Sequence, residues 1–258
     1  MKLVTWNVNS LAARMPRVLE FLQKFEPDIA LLQETKCADD AFPEDELGSA
    51  GYHSVHHSAG RWAGVAILAR TEPADVTSGL PGELRADEAR WIEATVDGVR
   101  VASTYVTNGR AVGTEWFDEK LAFLDAMATR VEQLRDGPAP LIVGGDFNVT
   151  RDDRDVYDPA AFAGETHVTP QERGRLEAII ERGGLVDAFR HLHPDEVQFT
   201  WWDYRQGHFH KNFGLRIDYA LVSESLAPRL TSTGMVRDFR KGKPTPSDHA
   251  PLLVELRS

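Results

Sequence analysis

The segment Leu141-Ile142-Val143-Gly144-Gly145-Asp146-Phe147-Asn148 joins an apolar run to two glycines and then to two polar side chains. A short apolar run bounded by turn residues is typical of a buried strand. The glycines allow another part of the chain to approach closely, and in an extended segment residues i and i+2 face the same way. Asp146 by itself is most often a turn residue. Together with Asn148 behind two glycines, it is better interpreted as part of a site.

Similar apolar runs occur along the rest of the chain and predict further strands at Leu3–Trp6, Ile29–Leu32, Gly64–Leu68, Val99–Tyr105, Ile217–Val222 and Leu252–Leu256. Helical periodicity covers Val18–Phe25 and Phe117–Val131. A third helix begins with a capping box at Thr169-Pro170-Gln171-Glu172 and ends at Gly183-Gly184. The pattern predicts a mixed α/β fold with central sheets covered by helices, in a single domain over residues 1–258.

Polar side chains stand where most of these apolar runs stop. Ligands of open α/β sheets bind in the crevice at strand ends. We therefore expect the following residues to share one cleft although they are scattered along the sequence: Asn7, Glu34, Tyr105, Asn108, Asp146, Asn148, Asp218, Asp248 and His249.

Several of these residues also have a structural explanation. Glu34 could be an exposed carboxylate at a sheet edge or the first residue of a helix, although a glutamate next to Ile29–Leu32 is costly to desolvate unless it is paired or metal-bound. Tyr105 is by its pattern a core aromatic. A lone His249 is most often structural, but an aspartate directly before it at the mouth of a strand favours a functional role.

Composition describes an ordinary folded chain of 258 residues, 42% hydrophobic and 27% charged, which excludes disorder as the main state. The net charge of −11 argues against a nucleic-acid partner. Residues 201–258, however, contain 9 Lys and Arg against 6 Asp and Glu. Because the local field rather than the net charge steers a polyanion, nucleic acid stays open as a substrate. The alternative is that the basic stretch is only a solvated face.

The sequence has one cysteine, Cys37, and no signal-peptide pattern at Met1–Asn7, so we expect a cytoplasmic location. No apolar run approaches the roughly 18 residues of a membrane span. We therefore expect no membrane association.

The inventory of candidate site residues selects a chemistry. Carboxylates and amides are hard oxygen ligands, which suit Mg²⁺ or Mn²⁺ better than structural zinc. The sequence contains neither the G-x-S-x-G elbow of serine hydrolases nor a P-loop. Metal-assisted hydrolysis of a phosphate ester is the reaction that fits.

Short motifs occur along essentially the whole chain: WNVNS (6–10), LQETK (32–36), GVAIL (64–68), YVTNG (105–109), GGDFNV (144–149), THVTPQER (166–173), FTWWDYR (199–205), GLRIDY (214–219) and SDHAP (247–251). These motifs resemble those of exonuclease III-type abasic-site endonucleases, a branch of the endonuclease/exonuclease/phosphatase superfamily. Single motifs are shared across the superfamily, but LQETK, then DYR followed by GLRIDY, then SDHAP, in that order, are much more specific.

The resemblance implies a two-sheet α/β sandwich flanked by helices and a metal-dependent DNA repair nuclease. Such an enzyme cleaves the phosphodiester 5′ to abasic sites and has 3′-to-5′ exonuclease and 3′-phosphatase activity on duplex DNA. The implied cofactor is Mg²⁺ or Mn²⁺, and the implied partner is double-stranded DNA with abasic or damaged 3′ ends. We expect the protein to act as a monomer.

The resemblance also implies a role for each matching residue. Glu34 looks like the metal-binding glutamate, with Asn7, Asp146, Asn148, Asp248 and His249 completing the expected metal site. Asp146 looks like the residue that orients or deprotonates the attacking water, and Asp218 like the partner of His249. Asn148 and Asn108 resemble the amides that hold the phosphate, and Tyr105 resembles the active-site tyrosine; Tyr105 and Asn148 thus count among the catalytic residues. The apolar pocket for the base-free deoxyribose is implied at Trp201, Leu215 and Ile217.

Two positions depart from the family pattern. Ser10 stands where the family usually has glycine, and Thr107 stands where it usually has proline. We expect changed loop stiffness rather than lost activity. The competing interpretations are a superfamily hydrolase acting on a lipid or inositol phosphate, and a non-catalytic interaction module descended from a nuclease.

Overall fold

The computed structural model describes residues 1–257, which form two six-stranded sheets packed face to face with helices outside them. One sheet has the strand order β11-β12-β1-β2-β4-β3, and the other β5-β6-β7-β8-β10-β9. The elements are, in chain order, β1 (Lys2–Asn7), α1 (Leu11–Phe25), β2 (Ile29–Gln33), α2 (Glu44–Ser49), β3 (His53–His57), β4 (Val65–Ala69), β5 (Ala74–Ser78), β6 (Trp91–Val96), β7 (Val99–Tyr105), α3 (Glu115–Arg135), β8 (Leu141–Asp146), α4 (Pro170–Gly183), β9 (Leu185–Asp187), α5 (Ala188–Leu192), α6 (His208–Lys211), β10 (Asp218–Ser223), β11 (Leu230–Met235) and β12 (Leu252–Leu256).

This architecture confirms the predicted two-sheet α/β sandwich flanked by helices. The central core lies between the sheets and joins residues such as Leu31 and Ile67 of one sheet to Val101 and Ile142 of the other. Helix α1 covers the outer face of the first sheet through Val18 and related residues. Helices α3 and α4 pack against each other over the outer face of the second sheet.

All seven strands predicted from apolar runs are present, and the three predicted helices are α1, α3 and α4. The α4 capping box forms as expected, with the Thr169 side chain accepting from the Glu172 amide. Strands β3, β5, β6, β9 and β11 were not predicted. The sheet-edge strand β5 is exposed along its whole length, so no alternation of apolar and polar residues marks it.

The two glycines of β8 allow close approaches beside the site, Gly144 to the opposite sheet and Gly145 to the neighbouring strand β7. A Cβ at Gly144 would lie 2.6 Å from Leu31 Cδ1 in the opposite sheet, and a Cβ at Gly145 would lie 2.0 Å from the Thr104 carbonyl oxygen. Both distances are shorter than real Cβ contacts, and at Gly145 the contact is with backbone, so only glycine fits there. The expected close approach is therefore present, and it lies directly before Asp146 in the chain.

Parallel pairing sets the ends of the central strands at one edge of the sandwich. β1 and β2 run parallel with Asn7 opposite Gln33, and β7 and β8 run parallel with Tyr105 opposite Asp146. Polar residues at the carboxyl ends of all four strands therefore meet. Among residues 1–257, no helix combines the length and the apolar character needed to cross a bilayer.

Candidate active site

The strand ends open into one cleft of about 180 Å³. Nine of the twelve residues predicted for the site line it, and His167, which was not predicted, lines it as well. The lining residues are Glu34, Tyr105, Asn108, Asp146, Asn148, His167, Trp201, Ile217, Asp248 and His249.

Asn7 joins the two central carboxylates. Its Nδ2 donates to Glu34 Oε1 at 2.7 Å and to Asp146 Oδ2 at 2.9 Å. The side chain of Asn7 is thereby a fixed spacer between them. One ligand atom each from Glu34, Asp146 and His249 lies within 4.8 Å of the others, which is a spacing that a single cation can bridge.

Glu34 is neither an exposed edge carboxylate nor the start of a helix. Its backbone has the left-handed φ of 50°, and its side chain is mostly buried. Its Oε2 pairs with Lys36 Nζ at 2.7 Å, and its Oε1 accepts from Asn7. Because each carboxylate oxygen has two lone pairs, both oxygens keep the capacity to bind a cation. The buried carboxylate of Glu34 therefore has a charged partner in Lys36, as its expected desolvation cost demands.

Asp146 is buried at the end of β8 in a strongly charged surrounding. Burial raises the pKa of Asp146 to about 8, with the carboxylates of Asp218 and Glu34 adding to the shift and His249 opposing it. A carboxylate with a pKa near the operating pH is suited to accept a proton from water. A nearby divalent cation would lower that pKa again.

His249 stands between two carboxylates. Its Nδ1 lies 2.8 Å from Asp218 Oδ2 and its Nε2 lies 3.6 Å from Asp146 Oδ2. Burial by itself disfavours the imidazolium, but these two carboxylates outweigh it and raise the pKa of His249 to about 10. The imidazole is thus positively charged at neutral pH, and Asp218 fixes its orientation.

Asp146 and Asn148 meet for a different reason from the one expected. The segment is not extended at Asn148, whose φ is 51°. This turn places the Asn148 amide N 2.9 Å from Asp146 Oδ1 and the Asn148 Nδ2 2.8 Å from the Val106 carbonyl oxygen. The i, i+2 rule for strands was therefore the wrong argument for a correct juxtaposition.

Tyr105 is a cleft residue rather than a plain core aromatic. Burial raises its pKa well above the usual value, and the nearby Glu34 carboxylate adds to the effect. The Arg90 guanidinium lies 4.8 Å from the ring centroid. The hydroxyl therefore stays protonated and can donate a hydrogen bond in the cleft.

Comparison with known proteins identifies the family. Residues 4–249 match the Endonuclease/Exonuclease/phosphatase family model. Exodeoxyribonuclease III of Haemophilus influenzae is 33% identical over 269 residues, with 100% of each chain covered. The chain belongs to the endonuclease/exonuclease/phosphatase family.

Solved structures of this family superpose on the whole chain. The 3′ phosphatase NExo from Neisseria, bound to a product DNA hairpin, has a TM-score of 0.97 at 38% identity and 100% coverage of both chains. An AP endonuclease from Archaeoglobus fulgidus has a TM-score of 0.95 at 33% identity, again with 100% coverage of both. The resemblance to exonuclease III-type members of the endonuclease/exonuclease/phosphatase family is thereby confirmed.

Asp248 lies at the rim of this family site rather than at its centre. Its Oδ1 accepts from Asn9 Nδ2 at 2.9 Å, and its Oδ2 accepts from Trp201 Nε1 at 3.0 Å. Asn9 Oδ1 in turn accepts from Lys36 Nζ at 2.7 Å. Asp248 thus reaches Glu34 only through this chain of side chains, and its expected role as a metal ligand stays a prediction.

Two of the three residues predicted for the apolar pocket line the cleft, and the third lies behind them. Trp201 and Ile217 line the cleft. Leu215 is buried beneath them in a cluster with Val156. Leu215 can therefore shape the pocket only by packing.

His167 lines the cleft although no role was predicted for it. Its Nδ1 lies 2.5 Å from the Asn148 carbonyl oxygen, and its Nε2 lies 3.2 Å from Asn108 Nδ2. Burial, followed by the charge of Lys120, lowers the pKa of His167 to about 3, so the ring is neutral. His167 precedes the capping box and belongs to no periodic segment, so only its place in the THVTPQER motif marks it in the sequence.

The two departures from the family pattern lie in loops around the cleft. Ser10 has φ 88°, a left-handed conformation that glycine adopts without strain. Its side chain accepts from the Ala13 amide and so caps α1. Ser10 therefore lacks the conformational freedom of glycine at this position, but its side chain caps the helix.

Proposed function

We propose that the chain is a metal-dependent DNA repair nuclease that cleaves the phosphodiester 5′ to abasic sites and removes nucleotides and phosphates from 3′ ends of duplex DNA. The observation that carries this proposal is the convergence of Glu34, Asp146 and His249 in one cleft with the amides of Asn108 and Asn148. Carboxylates supply metal ligands, and amide and imidazolium groups supply donors to a phosphate. Family membership supports the same reaction class.

The proposed cofactor is Mg²⁺, with Mn²⁺ as a substitute. The donor set fits such an ion, because Glu34 and Asp146 offer hard oxygen atoms close together. When bound there, a divalent cation supplies positive charge to the phosphate oxygens.

The side chains of the cleft divide the remaining work. Asp146 accepts the proton of the attacking water, which adds to phosphorus while the 3′ oxygen leaves. The imidazolium of His249 and the hydroxyl of Tyr105 donate to the phosphate oxygens as negative charge builds on them. Trp201 and Ile217 contact the base-free deoxyribose, which is cheap to extrude because no base pair is broken.

The test is cleavage of a labelled duplex that carries one abasic analogue, with and without Mg²⁺. Asp146→Asn is the matched inactive variant, and phospholipid and inositol phosphate are the comparison substrates. The proposal is supported if the wild type cleaves at the abasic position in the presence of Mg²⁺ and Asp146→Asn does not. Hydrolysis of the lipid or inositol phosphate with no cleavage of DNA would contradict it.

A second candidate is an enzyme that works mainly on 3′ ends. Its support is the likeness to the Neisseria 3′ phosphatase, combined with the small volume of the cleft, which His167 narrows beside Asn108. Phosphate release from a 3′-phosphorylated duplex, measured beside cleavage at an internal abasic site, ranks the two activities directly.

The proposed setting is a cytoplasmic monomer. The lone Cys37 is buried, which suits a reducing compartment. Light scattering of the purified protein at assay concentration tests the monomer, and cell fractionation tests the location.

A further inference from the structure

A single buried ammonium group links three loops around the cleft. Lys120 extends from α3 and is completely buried. Its Nζ donates to the Asn148 carbonyl oxygen at 2.7 Å, the Asn108 carbonyl oxygen at 3.2 Å and Thr166 Oγ1 at 3.2 Å. The two asparagines assigned to the phosphate therefore have their backbones tied to the same atom.

Glu172 balances this charge from α4. Its Oε1 accepts from Lys120 Nζ, from Thr166 Oγ1 at 2.9 Å and from the His167 amide at 2.9 Å. Its Oε2 accepts from the Thr169 hydroxyl at 2.6 Å. The buried pair thus fixes the segment that carries His167 as well as the two asparagines.

The chain is shaped around the lysine stem. Gly109 has φ 82°, and a Cβ there would lie 2.9 Å from Lys120 Cδ. Asn148 and His167 both have left-handed backbones, with φ 51° and 78°. Such conformations persist only where surrounding contacts over-determine them, and Lys120 and Glu172 supply those contacts at both positions.

We propose that Lys120 and Glu172 are positioning residues that set where Asn108 and Asn148 meet the scissile phosphate. This inference rests on the proposed function, in which those amides hold the phosphate. Neither Lys120 nor Glu172 lines the cleft, so neither touches substrate. A displacement of about 1 Å in a site of this kind costs on the order of 10²-fold in rate.

The first experiment compares two variants of the same helix. Lys120→Met keeps the length of the stem and removes the ammonium. Arg130→Met is the control, because Arg130 also lies on α3 and pairs with the buried Glu93 but contacts none of the cleft residues. At a temperature where both variants are folded, we expect Lys120→Met to lose about 10²-fold in kcat/KM and Arg130→Met to stay close to wild type.

A double-mutant cycle separates positioning from general loss of structure. If Lys120 acts through Asn148, Lys120→Met has little further effect in an Asn148→Ala background, whereas independent effects multiply. Multiplicative losses, or equal losses in Lys120→Met and Arg130→Met, overturn the proposal.

Folding and activity are also tested separately. Lys120→Met combined with Glu172→Gln leaves no buried unpaired charge, and it should still lose activity. Backbone amide NMR shifts of Asn108 and Asn148 should move in this variant and not in Arg130→Met. Unchanged shifts overturn the positioning role whether or not the protein is a nuclease, whereas a wild type that cleaves no DNA overturns only the proposed function.

Discussion

The Nδ1 atom of His249 lies 2.8 Å from Oδ2 of Asp218, although 31 residues separate them in the chain. Asp218 begins β10 directly opposite Asp146 in β8. The sheet register therefore places two carboxylates side by side, and His249 bridges them from the loop before β12. The alternative that Asp218 only bonds local backbone does not describe this contact.

Asp218→Asn keeps the shape of the pair and removes one charge. With less negative charge beside it, the pKa of His249 should fall from about 10. Activity that needs the imidazolium is lost as pH rises through this pKa, so the alkaline limb of the pH profile should move to lower pH. The rate at neutral pH should fall by about 10²-fold, as for other preorganised donors.

The measurement is kcat against pH for abasic duplex, with a parallel NMR titration of His249. Asp195→Asn is the control, since Asp195 is almost fully exposed. An unchanged rate and an unchanged pH profile in Asp218→Asn would show that the carboxylate is only structural.

Glu34→Ala should abolish the metal-dependent rate while the protein stays folded. The substitution removes one of the two carboxylates proposed to hold the cation and leaves Lys36 with Asn9 as a remaining partner. Chelator should likewise stop cleavage by the wild type, and added Mg²⁺ should restore it. Circular dichroism checks the fold of the variant. Full activity in excess chelator would rule out metal dependence.

The sequence predicted the site residues more completely than it predicted the strands. Asn7, Glu34, Tyr105 and Asp146 were identifiable because each interrupts an apolar run at the end of a central strand. Those runs are continuous because the sheets are buried on both faces. The exposed edge strand β5 has no such signal, since its side chains face solvent.

The positions of the remaining site residues depend on loops, which show no helical or strand periodicity in their sequence. His167 reaches the cleft because its backbone is left-handed and the Lys120 and Glu172 pair fixes its segment. The contact of Asp248 with Asn9 and Trp201 joins residues from distant parts of the chain. Only the assembled fold brings such groups together.

Trp201→Ala should weaken the preference for abasic over intact duplex. The ring walls the cleft, and loss of one such apolar contact typically changes discrimination by about 10-fold or more. Trp201→Phe is the matched variant, because it keeps an aromatic wall and removes only the bond to Asp248. The measurement is the ratio of kcat/KM values on the two duplexes. If Trp201→Ala leaves this ratio unchanged, the residue does not belong to the sugar pocket.

Arg237→Ala and Lys241→Ala should weaken DNA binding broadly and flatten its dependence on salt. Each lost phosphate contact lowers the slope of log affinity against log salt by about 1. Both side chains are exposed, and Lys241 pairs with Asp238 at 2.7 Å. Arg229→Ala is the control, because Arg229 lies near Arg257 at the opposite end of β12. If DNA binding by these variants depends on salt as it does in the control, the basic stretch is only a solvated face and does not contact DNA.

His167→Asn should make the protein less sensitive to acid. Burial lowers the pKa of native His167 to about 3, whereas an unfolded histidine titrates near 6.5. Between these values the unfolded chain binds a proton that the native protein does not, so this histidine makes stability fall as pH falls. Asparagine tolerates the left-handed backbone at this position and does not titrate. In urea unfolding from pH 7 to pH 4, the stability of the variant relative to wild type should therefore rise as pH is lowered. Exposed His191→Asn is the control, and a relative stability independent of pH would mean that native His167 binds its proton as readily as the unfolded chain does.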